Sequence, residues 1–131
     1  MSETTIITPS VNDTFDPAKI VVSGGVAKLV GPPFDTNDPT ITLSNVSNVG
    51  NLTNFIENAV KPTLSEIKYT ILIGGVETHF DGQNWVASDG TYAQANLASE
   101  IKDNERTLLI NGSFQLKAFL HSDDGTVTPE L

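Results

Sequence analysis

The sequence contains no cysteine, so no disulfide, thiolate metal site or cysteine nucleophile is open to it. It is also short of positive charge. Seven Lys and Arg stand against sixteen Asp and Glu, a net charge of -9 over 131 residues. The seven, Lys19, Lys28, Lys61, Lys68, Lys102, Arg106 and Lys117, are scattered along the chain. A phosphate backbone or an anionic membrane is repelled unless basic residues cluster, so neither nucleic acid nor membrane is expected as a partner. No apolar run nears the ~20 residues of a bilayer span. Residues 1–10 lack the basic start and apolar stretch of a signal peptide, which predicts a soluble protein outside the general secretory route. Aromatic residues are few as well, with one Trp, two Tyr and six Phe, so each is worth placing individually.

What the chain does have is alternation. In residues 67–73, Ile67, Tyr69, Ile71 and Ile73 point one way while Lys68 and Thr70 point the other, the period of a half-buried strand. Gly74-Gly75 supplies a two-residue hairpin turn, and Val76, Thr78 and Phe80 alternate with Glu77 and His79 on the return. Asp81-Gly82-Gln83-Asn84 turns the chain again into a third strand starting at Trp85. This meander, residues 67–90, is the expected centre of the core. Residues 19–22 and 26–30 form a second hairpin around Gly24-Gly25, residues 31–39 a long turn-rich loop, and residues 40–43 a short strand.

Two segments read less simply. Residues 49–60 place Val49, Leu52, Phe55, Ile56, Ala59 and Val60 on a helical face, but Gly50, Asn51, Thr53, Asn54 and Asn58 disfavour helix, and strand is the reading preferred. In residues 96–109, Leu97, Ile101 and Leu108 recur near helical spacing behind Asn96, a candidate cap, which predicts a turn or two of helix. Residues 114–121 are a strand whose polar face is broken by Phe119, so both of its faces are expected to be covered. Short strands between Gly, Pro and Asn turns predict an all-β antiparallel sandwich with at most one or two short helical turns.

Catalytic readings find little support in these residues. A glycosidase needs two carboxylates a set distance apart, whereas Asp81, Asp89, Asp123 and Asp124 all fall in turns, the ordinary place for Asp beside Gly. His79 and His121 stand isolated on strands, without nucleophile motif or zinc spacing. Asp123 and Asp124, within Ser122-Asp123-Asp124-Gly125-Thr126, are the candidates for calcium; they lack the longer D-x-D-x-D-G register, and a solvated acidic turn is the plainer reading. No cofactor, resident metal or enzymatic activity is expected. Tyr69, Phe80, Trp85 and Tyr92 are the rings on which a glycan could stack, against the simpler expectation that a lone Trp in a sandwich is buried. Residues 1–14 read as an arm ahead of a single domain at residues 15–131, with Ile6, Ile7 and Val11 as its docking candidates.

Three stretches carry a family resemblance. FDPAKIVVSGGVAKLV, from Phe15, is similar to the first hairpin of concanavalin-like and carbohydrate-module jelly rolls. The middle stretch IKYTILIGGVETHFDGQNWVASDGTYAQANLASEI and the close FQLKAFLHSDDGTVTPEL resemble a module of tailed-bacteriophage virion proteins. There a Gly turn precedes an aromatic strand, NGxxW, SDGTYAQ and a late RAFLHSDDG; Asp81 to Trp85, Ser88 to Gln94 and Lys117 to Gly125 occupy those places here. The resemblance spans residues 15–131 and implies a jelly roll. It further implies a non-enzymatic virion accessory protein, a capsid decoration or cement subunit or a tail or fibre component, carried on the virion exterior after assembly in the host cytoplasm. Its implied partners are other virion proteins or further copies of itself, docked through the arm or a sheet edge. The strand that such modules carry after the counterpart of Pro129-Glu130-Leu131 is missing, which predicts an unpaired edge near Leu131. The alternative is a carbohydrate-binding module that stacks a glycan on Trp85 and Tyr92.

Overall fold

The computed structural model describes residues 5–131. Nine strands follow in chain order: β1 (Thr14–Phe15), β2 (Ile20–Ser23), β3 (Val26–Leu29), β4 (Thr40–Thr42), β5 (Val46–Asn51), β6 (Ser65–Ile73), β7 (Val76–Phe80), β8 (Trp85–Ala87) and β9 (Leu109–Ser122). One short helix, α1 (Ala98–Asn104), continues as a 3-10 turn over Glu105–Thr107. The fold is an all-β antiparallel sandwich, as the alternation predicts. Its larger sheet has seven strands in the order β1-β4-β9-β6-β7-β8, with β5 also on β9, and the hairpin β2-β3 forms the second layer.

β6 and β9 are the spine. They pair antiparallel from Ser65 opposite Ser122 to Ile73 opposite Phe114, and β4 and β5 share the other edge of β9. Alternation sends Ile67, Tyr69 and Ile71 with Phe114, Leu116, Ala118 and Leu120 to one face, where they meet Ile20, Val22, Ala27 and Leu29 of the hairpin and Ile101 of α1. Both tight hairpins turn on Gly-Gly. Gly24 and Gly25 sit at φ 58° and 78°, Gly74 and Gly75 at 59° and 84°. A two-residue turn that follows the sheet's twist needs positive φ at both positions, which only glycine takes without strain.

The edge expected to stand open near Leu131 is closed from within the chain. Leu131 exchanges two backbone hydrogen bonds with Ala27, and Glu130 exchanges two with Val60. The Leu29 N–H is taken by the Thr128 hydroxyl at 2.9 Å. Residues 128–131 thus widen the small layer along the edge of β3.

The two ambiguous segments also resolve. Residues 49–60 begin as the end of β5, where register shifts opposite β9 break the ladder, and then run irregularly to the single bridge at Val60. Phe55 and Ala59 pack on the core, and the Phe55 N–H is held by the buried carboxylate of Glu105 at 2.8 Å. Asn96 is not the helix cap that its type suggests. Leu97 takes that place, its N–H donating to Glu100 Oε1 at 2.8 Å. Buried Asn96 instead pairs with the Tyr69 backbone in both directions and, through its amide, with the N–H and C=O of Phe80. It fills the ladder beside β6 where β7 has come to its end.

Ile71 is fully enclosed, so Ile71→Ala is expected to lower the unfolding free energy by about 2–5 kcal/mol. The exposed Val76→Ala should stay within about 0.5 kcal/mol of wild type. Urea denaturation of the two variants measures both.

Candidate functional site

The four aromatic candidates do not form one platform. Tyr69 is 2% exposed, set edge-on to Phe55 at 5.8 Å, with its hydroxyl donating to Glu57 Oε2 at 2.6 Å. It is a core residue, and the expectation that it offers a stacking surface is corrected. Burial, then the hydrogen bond to Glu57 and the charges of Glu57 and Glu66, push its phenol above the ordinary value. Half-buried Trp85 meets Phe80 edge-on at 5.5 Å, and its indole N–H is shared by the Asn104 carbonyl and the Thr107 hydroxyl, each at 3.1 Å. That bond fastens β8 to the end of α1. Tyr92 lies on the opposite face of the large sheet.

That opposite face gathers the polar side chains of the two spine strands. Cross-strand neighbours there are Glu66 and His121, Lys68 and Phe119, and Thr70 and Lys117. Thr70, fully buried, donates to Glu77 Oε2 at 2.9 Å, and Lys117 Nζ lies 3.2 Å from Glu77 Oε1 and 5.1 Å from the centre of the Phe119 ring. Phe119 is buried on this side although it alternates with the core, so β9 is covered on both faces as its sequence predicts.

His121 is the centre of the cluster. Its Nδ1 stands 2.5 Å from Asp38 Oδ1 and its Nε2 2.6 Å from Asp123 Oδ1. Its ring lies 4.5 Å from that of Tyr92, nearly parallel at 13°. Lys68 Nζ is 4.5 Å from the Tyr92 ring centre, a cation–π distance, and Phe119 meets Tyr92 edge-on at 6.4 Å. Local chain geometry delivers each partner. The loop ahead of β4 carries Asp38 in the left-handed region at φ 57°, which Asp tolerates, and the next carbonyl, Pro39, accepts the Leu120 N–H at 2.9 Å. Asp123 follows β9 and donates its N–H to the Leu64 carbonyl.

Partial burial disfavours charge on His121, but hydrogen bonds to Asp38 and Asp123 and the pull of their charges outweigh it and raise its pKa above the ordinary imidazole value. The Tyr92 phenol is pushed up to about 12, chiefly by burial and then by the charges of Glu66, Asp38 and Asp123. With a carboxylate on each nitrogen, the imidazole has no free lone pair to take a substrate proton or bind a metal.

The calcium candidates are spent on local structure. Asp123 holds His121, and Asp124 accepts from the Thr126 N–H and hydroxyl at 3.0 and 2.6 Å. Asp81 and Asp89 close their own turns in the same way. Among the described residues no three His, Asp or Glu side chains converge on a point where a cation could sit. Of the docking candidates, Ile6 and Val11 are 85% and 70% exposed, whereas Ile7 packs on the chain's own core. Residues 1–4 of the arm lie outside the described residues.

Sequence reasoning did not single out Asp38, Lys68, Glu77 or Lys117. A usable signal was the i, i+2 spacing of Phe119, His121 and Asp123, which places all three on one side of a strand. Asp38 had none, being 83 positions from His121.

Because the folded pKa of His121 is raised, its contribution to stability is complete below the unfolded value near 6.5 and is lost as pH rises through the folded value. His121→Gln should therefore differ most from wild type on the acid side of that window, and the pH-dependent part of the gap should close above it. Urea unfolding from about pH 5 to pH 9 measures it.

Scans against protein-family models, curated proteins and solved structures found no match to this chain, so its function is argued from the geometry above and from its sequence.

Proposed function

We propose that the chain is a non-enzymatic accessory structural protein of a tailed-phage virion, carried on the exterior as a capsid decoration or cement subunit or as a tail or fibre component. It acts by docking preformed surface onto other virion proteins. The phage setting rests on the sequence resemblance. The docking mode rests on one observation, the way residues 5–15 are laid on the body.

Ile7 anchors that segment in the core, and the Thr8 methyl group crosses the hairpin turn so closely that a Cβ on Gly25 would meet it at 2.9 Å. Asp13 closes a turn on Ser10 through both its carboxylate and its N–H. Ile6 and Val11, to either side, are left in water. Exposed branched side chains on an anchored segment present apolar surface at little further cost in chain entropy, and burying one against a partner contributes about 1.5–3 kcal/mol. The charge of -9 keeps such a surface from adsorbing nucleic acid.

The test uses tagged chain supplied during infection by the phage that encodes it. Wild type should sediment with gradient-purified particles. The double variant Ile6→Asp, Val11→Asp should keep its melting temperature within a few degrees, since both sites are exposed, yet be lost from the particles by at least about tenfold, as expected for some 1.4 kcal/mol or more of lost docking energy. Equal recovery of the two proteins would rule out the arm. Absence of wild type from the particles would rule out the virion role.

A further inference from the structure

His121 is wedged between two groups that can only accept hydrogen bonds. A carboxylate has no proton to give, so Asp38 and Asp123 require both ring nitrogens to donate, and only the imidazolium does so. The neutral ring keeps one N–H and turns a lone pair toward the other carboxylate. The remaining charged groups around it are Glu66, directly across on β6 and paired at 3.0 Å with Lys61, and Lys68, which reaches over Tyr92. Tyr92 covers one face of the ring.

The loop that carries Tyr92 is tied by hydrogen bonds among its own residues, most of them made by side chains. Ser88 Oγ donates to the Gln94 carbonyl and accepts from the Gly90 N–H, the Asp89 N–H donates to Gln94 Oε1, and Thr91 caps Asp89. These bonds turn inward, while the Ser88 N–H donates to the Glu77 carbonyl at 2.8 Å and hinges the start of the loop on β7. The middle of the loop meets the sheet at Gly90, where a Cβ would lie 3.7 Å from the Glu77 carboxylate, and through Tyr92, by its stack on His121, its edge contact with Phe119 and its cation–π contact with Lys68.

We propose that Asp38, His121 and Asp123 form a proton-operated latch that holds the loop of residues 88–94 closed over Phe119 and releases it when His121 loses its charge. With the imidazolium in place, Asp38 and Asp123 fix the ring and the ring fixes Tyr92. With the proton gone, one carboxylate faces a lone pair, the ring leaves its plane, and Tyr92 loses its stacking partner. Phe119 is then uncovered between Lys68 and Thr40, its cross-strand neighbours, and an apolar surface opens on the far face. The raised pKa of His121 puts this release on the alkaline side of an ordinary histidine. The latch is separate from docking by the N-terminal segment and stands or falls without it.

The experiment follows hydrogen exchange of the backbone amides of residues 89–94 in the full-length protein by NMR, alongside titration of the His121 ring, from about pH 5 to pH 9, with intrinsic base catalysis divided out. Their protection should fall by up to about tenfold per pH unit through the His121 titration, while amides of β6 keep theirs. In Tyr92→Phe, which retains the ring, the step should persist. In His121→Gln protection should be low throughout and the step absent. Loop protection that ignores the His121 titration, or the same step surviving in His121→Gln, would overturn the latch. The wild-type titration decides by itself if His121→Gln does not fold.

Discussion

Everything in this sandwich hangs on the pairing of β6 with β9. The ladder brings together two strands whose side chains alternate in phase, so a single register serves both faces. It sends Ile67, Tyr69, Ile71, Leu116, Ala118 and Leu120 inward, and Glu66, Lys68, Lys117 and His121 outward with Thr70 and Phe119 buried among them. A slip of one residue would reverse β9 against β6 and drive Lys117 and His121 into the core, which is why the pairing is so tightly specified. Each remaining element is attached to this spine: β4 and β5 along one edge, β7 and then Asn96 along the other, and the small layer across the inner face.

The acidic composition takes on a different meaning once the carboxylates are placed. Asp16, Asp35, Asp81, Asp89 and Asp124 each accept a backbone N–H two positions on, so they serve as turn closures. For Asp35, Asp81, Asp89 and Asp124, hydrogen bonds accepted from nearby residues, Asn37, Asn84 with Gln83, Thr91 and Thr126 in turn, lower the carboxyl pKa. Glu57 holds Tyr69 and Lys61, Glu77 holds Thr70 and Lys117, and Glu105 holds Phe55; of these partners Lys117 and Phe55 lie 40 and 50 positions away. Much of the negative charge is thus part of the scaffold.

The two faces of the large sheet are finished in unlike ways. The inner face is closed chiefly by apolar packing, with the rings of Tyr69, Phe114 and Trp85 set among aliphatic side chains. The outer face is closed by an aromatic ring resting on a charged one, with carboxylates holding the latter in place. Apolar contacts are non-directional and tolerate small displacements, whereas a stack upon a doubly hydrogen-bonded imidazolium depends on one proton. The outer closure is therefore the conditional one, and it covers Phe119 among the polar side chains of Lys68, Thr70 and Lys117.

The strands within residues 19–30, 40–43, 67–87 and 114–121, both Gly-Gly hairpins, the closure of turns by Asp and the double coverage of β9 were legible in the sequence, whereas β1, most of β5 and the start of β9 at Leu109 were not. Each legible feature follows from residues adjacent or two apart in the chain, where pleat and turn geometry act directly. Asn96 misled because its preference for helix caps is local, and a gap in the ladder beside Tyr69 outweighed it. The fate of Tyr69, the closing of the edge at Leu131 and the meeting of Asp38 with His121 were decided only by tertiary structure. They join segments 12 to more than 80 residues apart, Tyr69 to Glu57, Leu131 to Ala27 and His121 to Asp38. Alternation tells which face a side chain takes, but what it finds there depends on the order in which strands assemble, and no local period encodes that order.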